Sequence, residues 1–161
     1  MKRISVLTSV IFFSSTAFAE WHVRQGPQVF AFDPRGIGVV ATVSAKSPSN
    51  GISAHLQLEC FVHPELMSLY GGIVLSRSTP TGPMSYRIQF DDAPSMTQGP
   101  FSRVNLTSQS FSDEERKALL TARQLRITLI PTKPPELSYE FDVSGAATAA
   151  KTLACKEYRR P

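Results

Sequence analysis

The sequence predicts a mainly β fold: one antiparallel β-sandwich-like domain with two short helices. Three observations predict it: period-two alternation of apolar and polar residues, turn-forming clusters between the alternating stretches, and only two segments with helical signals. Leu56, Leu58 and Cys60 face one way, Gln57 and Glu59 the other. Tyr86, Ile88 and Phe90 alternate with Arg87, Gln89 and Asp91, and Leu125, Ile127 and Leu129 with Arg126 and Thr128. Leu137, Tyr139, Phe141 and Val143 alternate with Ser138, Glu140 and Asp142. Successive side chains of a strand point to opposite faces of the sheet, so each stretch reads as a half-buried antiparallel strand. Val39 to Val43 and Met67 to Leu75 add two more, with Gly71-Gly72 read as a bulge or bend, and Val29 to Phe32 is a weaker candidate.

The punctuation is regular. Ser47 to Gly51 and Ser78 to Pro83 are turn clusters, Ala93 to Pro100 a longer loop, and Pro131 to Pro135 a stiff connection. There are no repeats and no low-complexity block. Ser112-Asp113-Glu114-Glu115 matches a capping box: the serine accepts from the amide three residues on, and Glu115 reaches back. The acids also sit at the positive end of the helix dipole, so a short helix is expected to about Ala122, with Leu119 and Leu120 on its buried side. A second helix is expected from Ser144-Gly145 to Cys155, with Ala146, Ala150, Leu153 and Ala154 on one face.

The first nineteen residues read as a signal peptide. Lys2 and Arg3 precede an apolar run, Ile4 to Phe13, that is too short to span a bilayer. Ala17-Phe18-Ala19 then supplies the small-x-small pattern for cleavage after Ala19. The expected organisation is a leader over 1–19 and a single β-rich domain over 20–161, exported to the periplasm with no stable membrane insertion after cleavage. Losing Lys2 and Arg3 takes the 17 basic residues to 15 against 13 acidic. A balance so near neutral argues against nucleic acid as a partner, which needs a clustered basic face. Cys60 and Cys155 form an even pair in an oxidising compartment and are expected to be joined. Two redox-active thiols are the alternative, disfavoured without a C-x-x-C spacing.

Certain stretches, in order, resemble a known family: Leu56 to Cys60, Tyr86 to Asp91, Ala122 to Ile127, and Phe141-Asp142-Val143-Ser144-Gly145-Ala146 with Ala150 and Cys155 behind it. The succession is similar to the periplasmic accessory proteins of type VI secretion called VasI or TagO. The closing stretch is also similar to the end of the invasion-associated locus B proteins. The resemblance spans roughly residues 54 to 155. It implies a β-sandwich-like domain that acts through protein contacts at the envelope, and it brings no catalytic residues.

Sharper chemistry finds little footing. His22, His55 and His63 lack the spacing of a zinc site, and no metal is expected. Asp91-Asp92 lacks the oxygen-rich pattern of a calcium loop. Asp92 is read as starting a turn, with Asp91 facing solvent. No G-x-S-x-G elbow, Ser-x-x-Lys pair or phosphate-cradling glycine motif is present, and Gly36-Ile37-Gly38 reads as a bend before a strand. Arg87, Arg103 and Arg126 would make a basic stripe if their strands were neighbours; solvated strand charges are the simpler reading. Arg159 and Arg160 read as a solvated tail, and the Asn105-Leu106-Thr107 triplet is uninformative beside a bacterial leader. The expectation is a non-enzymatic interaction protein with an envelope protein partner, without catalytic, cofactor-binding or metal residues. A carrier of a small or lipid ligand is the first alternative. A hydrolase is the second, requiring His22, His55 or His63 beside a Ser or carboxylate in a cleft.

Overall fold

The computed structural model of the 161-residue chain describes residues 19–30, 37–63, 66–77, 84–101, 108–132 and 134–153. Nine strands and two helices are formed among them: β1 (His22–Pro27), β2 (Ile37–Ser44), β3 (Ala54–His63), β4 (Leu66–Leu75), β5 (Met84–Phe90), β6 (Met96–Phe101), β7 (Ser108–Ser110), α1 (Asp113–Leu119), β8 (Gln124–Pro131), β9 (Leu137–Asp142) and α2 (Ala146–Thr152). A five-stranded sheet runs β1-β2-β3-β4-β7 and a four-stranded sheet β6-β5-β8-β9, with every pairing antiparallel. One hydrophobic cluster draws on a face of each, as a β-sandwich requires.

The alternation predicts that face correctly. Ile88 pairs with Ile127 and Ile127 with Tyr139; Phe90 pairs with Leu125 and Leu125 with Phe141. With Leu56, Leu58 and Ile73 from the other sheet they fill the space between the layers, and Leu56, Leu58, Ile88, Ile127 and Phe141 are wholly buried. Each such side chain contributes about 1.5–3 kcal/mol on leaving water. The reverse face of the four-stranded sheet carries the polar set: Arg126 donates to Glu140 Oε1 at 2.8 and 3.0 Å and to Gln89 at 3.3 Å.

The edge of β9 is sealed by the turn between β2 and β3. Ser138 N–H donates to Ser49 Oγ at 3.1 Å, Lys46 N–H to the Glu140 carbonyl at 2.8 Å, and Asn50 to the Glu136 carbonyl at 3.2 Å. The expected turn at 47–51 thus satisfies backbone groups that would otherwise invite another strand.

Both expected helices form. Ser112 caps α1, and the reciprocal bond from its own N–H to Glu115 closes the capping box. Leu119 is buried, as expected, and Leu120 is half-buried. In α2 the face turned inward is Ala146, Ala149 and Leu153; Ala150 is half-buried beside it, and Ala154 lies outside the described residues. Gly145, at φ 88°, begins α2 in the left-handed region that glycine tolerates.

Several expectations are corrected. Val29-Phe30 is a bend and not a strand, while the strands β1, β6 and β7 lie where none was expected. Gly71-Gly72 makes no bulge, because β3 and β4 pair without interruption from Ala54/Leu75 to His63/Leu66. Close approach explains the glycines instead: a Cβ at Gly71 would lie 2.7 Å from Leu58 Cδ2, and one at Gly72 2.7 Å from Phe30 Cζ. Asp91 does not simply face solvent. It turns the chain at φ 46° and accepts from the N–H groups of Arg123 at 3.0 Å and Gln124 at 2.8 Å, tying the end of β5 to the start of β8. Ile37 and Gly38 are already inside β2, and Gly36 lies outside the described residues. The half-buried Cys60 is in β3; Cys155 lies outside the described residues, so the expected pairing is not visible among them.

Candidate functional site

The site is built on the outer face of the five-stranded sheet and on its β1 edge. On the central strand β3 the polar residues Gln57 and Glu59 would ordinarily meet water. Instead Glu59 is wholly buried and Gln57 is 4 % exposed. Their cover is the segment after β1. Glu59 accepts from Val29 N–H at 3.0 Å, Phe30 N–H at 2.6 Å and Gln57 Nε2 at 2.9 Å. Gln57 also donates to the Pro27 carbonyl at 3.0 Å, and Gln28 donates to the Cys60 carbonyl at 2.8 Å. Glycine makes the seat: a Cβ at Gly38 would collide with the Gln28 side chain, as one at Gly72 would with Phe30. The carboxylate thus substitutes for water in binding a backbone turn, and the outer face of β3 is closed at Gln57 and Glu59.

Where this strap ends, the face opens into a groove of about 630 Å³ along β1, lined by the polar His22, Arg24, Thr42, Ser44 and His55 and bordered by Trp21 and Val23. These residues fall on one face by register: His22 pairs with Thr42, Thr42 with Gln57, and Ser44 with His55. Burial lowers the His55 pKa from the ordinary histidine value, a hydrogen bond with Gln57 opposes that, and the Arg24 charge lowers it further. Glu20 Oε1 lies 4.0 Å from His22 Nδ1, with both side chains exposed.

On the opposite side of β1 lies a second groove of about 440 Å³, lined by Ala19, Glu20, Trp21 and Val23 and by Gly145, Thr148, Ala149 and Thr152. Small residues of α2 leave this space. Trp21 packs against the core, yet its buried indole N–H has no hydrogen-bond partner among the described residues. Val23 and Val39 are exposed at 39 % and 41 %, at the end of the sheet where the apolar face overhangs. Ala19 N–H donates to Ser144 Oγ at 3.1 Å, and Ser144 Oγ donates to Asp142 Oδ1 at 2.5 Å. The last residue of the expected leader therefore touches the domain.

β1 is the edge of its sheet, and no described residue pairs with its outer side. The other edges differ. β9 is sealed by the 46–50 turn, β7 has three residues, and β6 carries Gly99 at φ 109° beside Pro100 and shifts register against β5.

The remaining candidates scatter. Arg87 and Arg126 share the outer face of the four-stranded sheet, but Glu140 neutralises Arg126, and Arg103 lies outside the described residues. The Arg126 hydrogen bond and charge hold Glu140 below the usual carboxylate pKa, with Lys46 adding to the effect. His55 stands opposite Ser44 across the strands but takes its hydrogen bond with Gln57, and the His63 side chain lies outside the described residues. No group of three metal-ligating side chains occurs among the described residues, and none of their helices is long and apolar enough to cross a membrane. Arg159, Arg160 and Asn105 fall outside them. The strap and the β1 grooves escaped the sequence reading. Trp21 at the head of the mature chain and the buried-polar pair Gln57/Glu59 were their only signals.

No protein-family model and no curated protein sequence matches the chain. A solved structure, that of invasion associated protein B from Bartonella henselae, is similar in fold: TM-score 0.51 and 15% identity, over 84% of this chain and 92% of that one. The likeness falls on one of the two groups that the closing stretch resembles and extends it to most of the domain as a shared architecture. The type VI secretion resemblance finds no counterpart in these comparisons.

Proposed function

We propose that the protein is a non-enzymatic interaction protein of the bacterial periplasm, exported by the 1–19 leader, and that the β1 edge with its two grooves is its binding surface. The observation that carries this reading is the contrast among edges: β9 is closed by specific hydrogen bonds, whereas β1 carries the exposed Val23, beside the exposed Val39 of β2, and has a groove on either side. Proteins blunt unused edges, so an open one flanked by grooves reads as a docking strand. An envelope complex, a type VI secretion machine among them, is where such a partner is sought. Photo-crosslinkers placed at Val23 and Val39 are expected to capture a discrete envelope protein in cells, while one at Arg87 captures none. Equal capture at all three positions, or none, overturns the reading. The groove beside α2 favours a second reading, a carrier of a small apolar ligand, which native mass spectrometry of protein purified from the periplasm tests directly.

The same reading includes a Cys60–Cys155 bridge that holds the chain after α2 to β3. Its support is the sequence: Cys60 and Cys155 are the two cysteines of the chain, an even pair behind an expected export leader. Closing so long a loop contributes roughly 4–5 kcal/mol in the chain-entropy model. Alkylation without reductant is expected to leave the denatured protein unmodified, and Cys60→Ser to lower its melting temperature markedly. Two alkylated thiols would refute the bridge.

A further inference from the structure

We infer that β1 binds its partner by strand addition, and that the partner segment is an extended peptide alternating apolar and acidic residues. The inference rests on the interaction reading above and names the partner's chemistry. Every second residue of an edge strand turns its N–H and C=O away from the sheet, so β1 offers a ladder that any extended chain can continue. Specificity must come from the two faces. An added strand places alternate side chains on opposite sides, and the two sides of β1 differ in kind. Odd-numbered residues, Trp21 and Val23, border both grooves and, with Gly145 and Ala149, give the one beside α2 its apolar lining. Even-numbered residues, His22 and Arg24, turn toward the groove that holds His55, Thr42 and Ser44. That side presents the Arg24 guanidinium, two imidazoles and two hydroxyls, whereas the Glu20 carboxylate, 4.0 Å from His22, lines the groove beside α2. A carboxylate on the incoming strand meets Arg24 and the hydroxyls there, and a cation meets repulsion.

The same geometry disfavours a second copy of the chain. An antiparallel pairing of β1 with itself centred on Arg24 sets two guanidinium groups face to face.

Trp21 is the chain's only tryptophan and sits at the head of β1, so its emission reports on this edge. The test titrates the full mature protein with three synthetic peptides of equal length: alternating Val and Glu, alternating Val and Lys, and the Val/Glu peptide with alternate backbone amides methylated. The Val/Glu peptide is expected to shift Trp21 emission saturably and to bind at least tenfold more tightly than either of the others. Arg24→Glu, an exposed edge substitution that leaves the core untouched, is expected to reverse the preference between Glu and Lys peptides. Equal binding of the methylated peptide overturns strand addition. Equal binding of the Lys peptide overturns the acidic partner. An absence of saturable binding overturns both, as does sedimentation as a dimer that Val23→Lys dissociates. Position-specific crosslinking at Val23 persists if only this inference fails and vanishes if the interaction reading itself fails.

Discussion

Glu59→Ala is expected to destabilise the domain by roughly 3 kcal/mol, a large share of the 5–15 kcal/mol typical of a folded domain. The carboxylate is wholly buried and accepts from three converging N–H groups, those of Val29, Phe30 and the Gln57 side chain. Hydrogen bonds to a charged acceptor contribute about 1.5–3 kcal/mol each, and truncation also leaves their donors facing a void. Part of that loss is recovered as water enters, which brings the net effect well below the sum. Glu59→Gln is expected to cost nearly as much. An amide offers only one oxygen, and its NH₂ would be forced against an N–H of the strap. Urea denaturation measures the loss, and hydrogen exchange locates it: the amides of Val29 and Phe30 are expected to lose protection before those of Leu56 and Leu58. A Glu59→Gln variant as stable as the parent would show that the strap does not depend on the charge. The functional consequence follows from chain order, because the strap continues directly from β1. Its release frees the end of the docking strand, so peptide binding at β1 weakens together with stability.

How much of this was legible in the sequence depends on where the covering atoms come from. Alternation locates β3, β5, β8 and β9 because one face of each meets the opposite sheet, and a repeating contact leaves a repeating pattern. The pattern misleads only at Gln57 and Glu59. Polar residues on the alternate face normally mean water, and their actual cover is a segment some thirty residues earlier in the chain, which local periodicity cannot register. β1 escapes for the opposite reason: HVRQGP is an edge with little burial, so no apolar period marks it. β6 is hidden by its Gly-Pro pair, which reads as loop, and β7 is too short to have a period. The capping box of α1 is legible because it is local, with its residues three apart. The candidate site is not, because it joins the first strand to the last helix and owes its shape to what those elements leave uncovered.

The second large effect lies in that same capping box. Glu115 is 1 % exposed, far more buried than a capping residue needs to be. Tyr86, on the inner face of β5, donates its hydroxyl to both carboxylate oxygens at 2.9 Å, while Ser112 N–H donates to Oε2 at 2.8 Å. One carboxylate therefore caps α1 and anchors it to the four-stranded sheet. Burial, the Glu115 charge and the hydrogen bond all raise the Tyr86 pKa, so the phenol stays protonated and remains a donor. Glu115→Ala removes the reciprocal cap, worth about 1 kcal/mol, and the charged acceptor of the Tyr86 hydroxyl, worth a further ~1.5–3 kcal/mol. The expected total is about 3 kcal/mol by thermal or urea unfolding. Here, unlike at Glu59, glutamine is expected to be mild. Its oxygen can accept from Ser112 while its NH₂ donates to the phenol oxygen, which accepts as readily as it donates. A double-mutant cycle separates the two roles. Tyr86→Phe is expected to cost about 1 kcal/mol in the parent and less in Glu115→Ala, because the bond from the hydroxyl to the carboxylate is already lost there. Additive losses would mean that the tyrosine and the glutamate stabilise the domain independently, and that α1 is held in place by its apolar packing, Leu119 foremost.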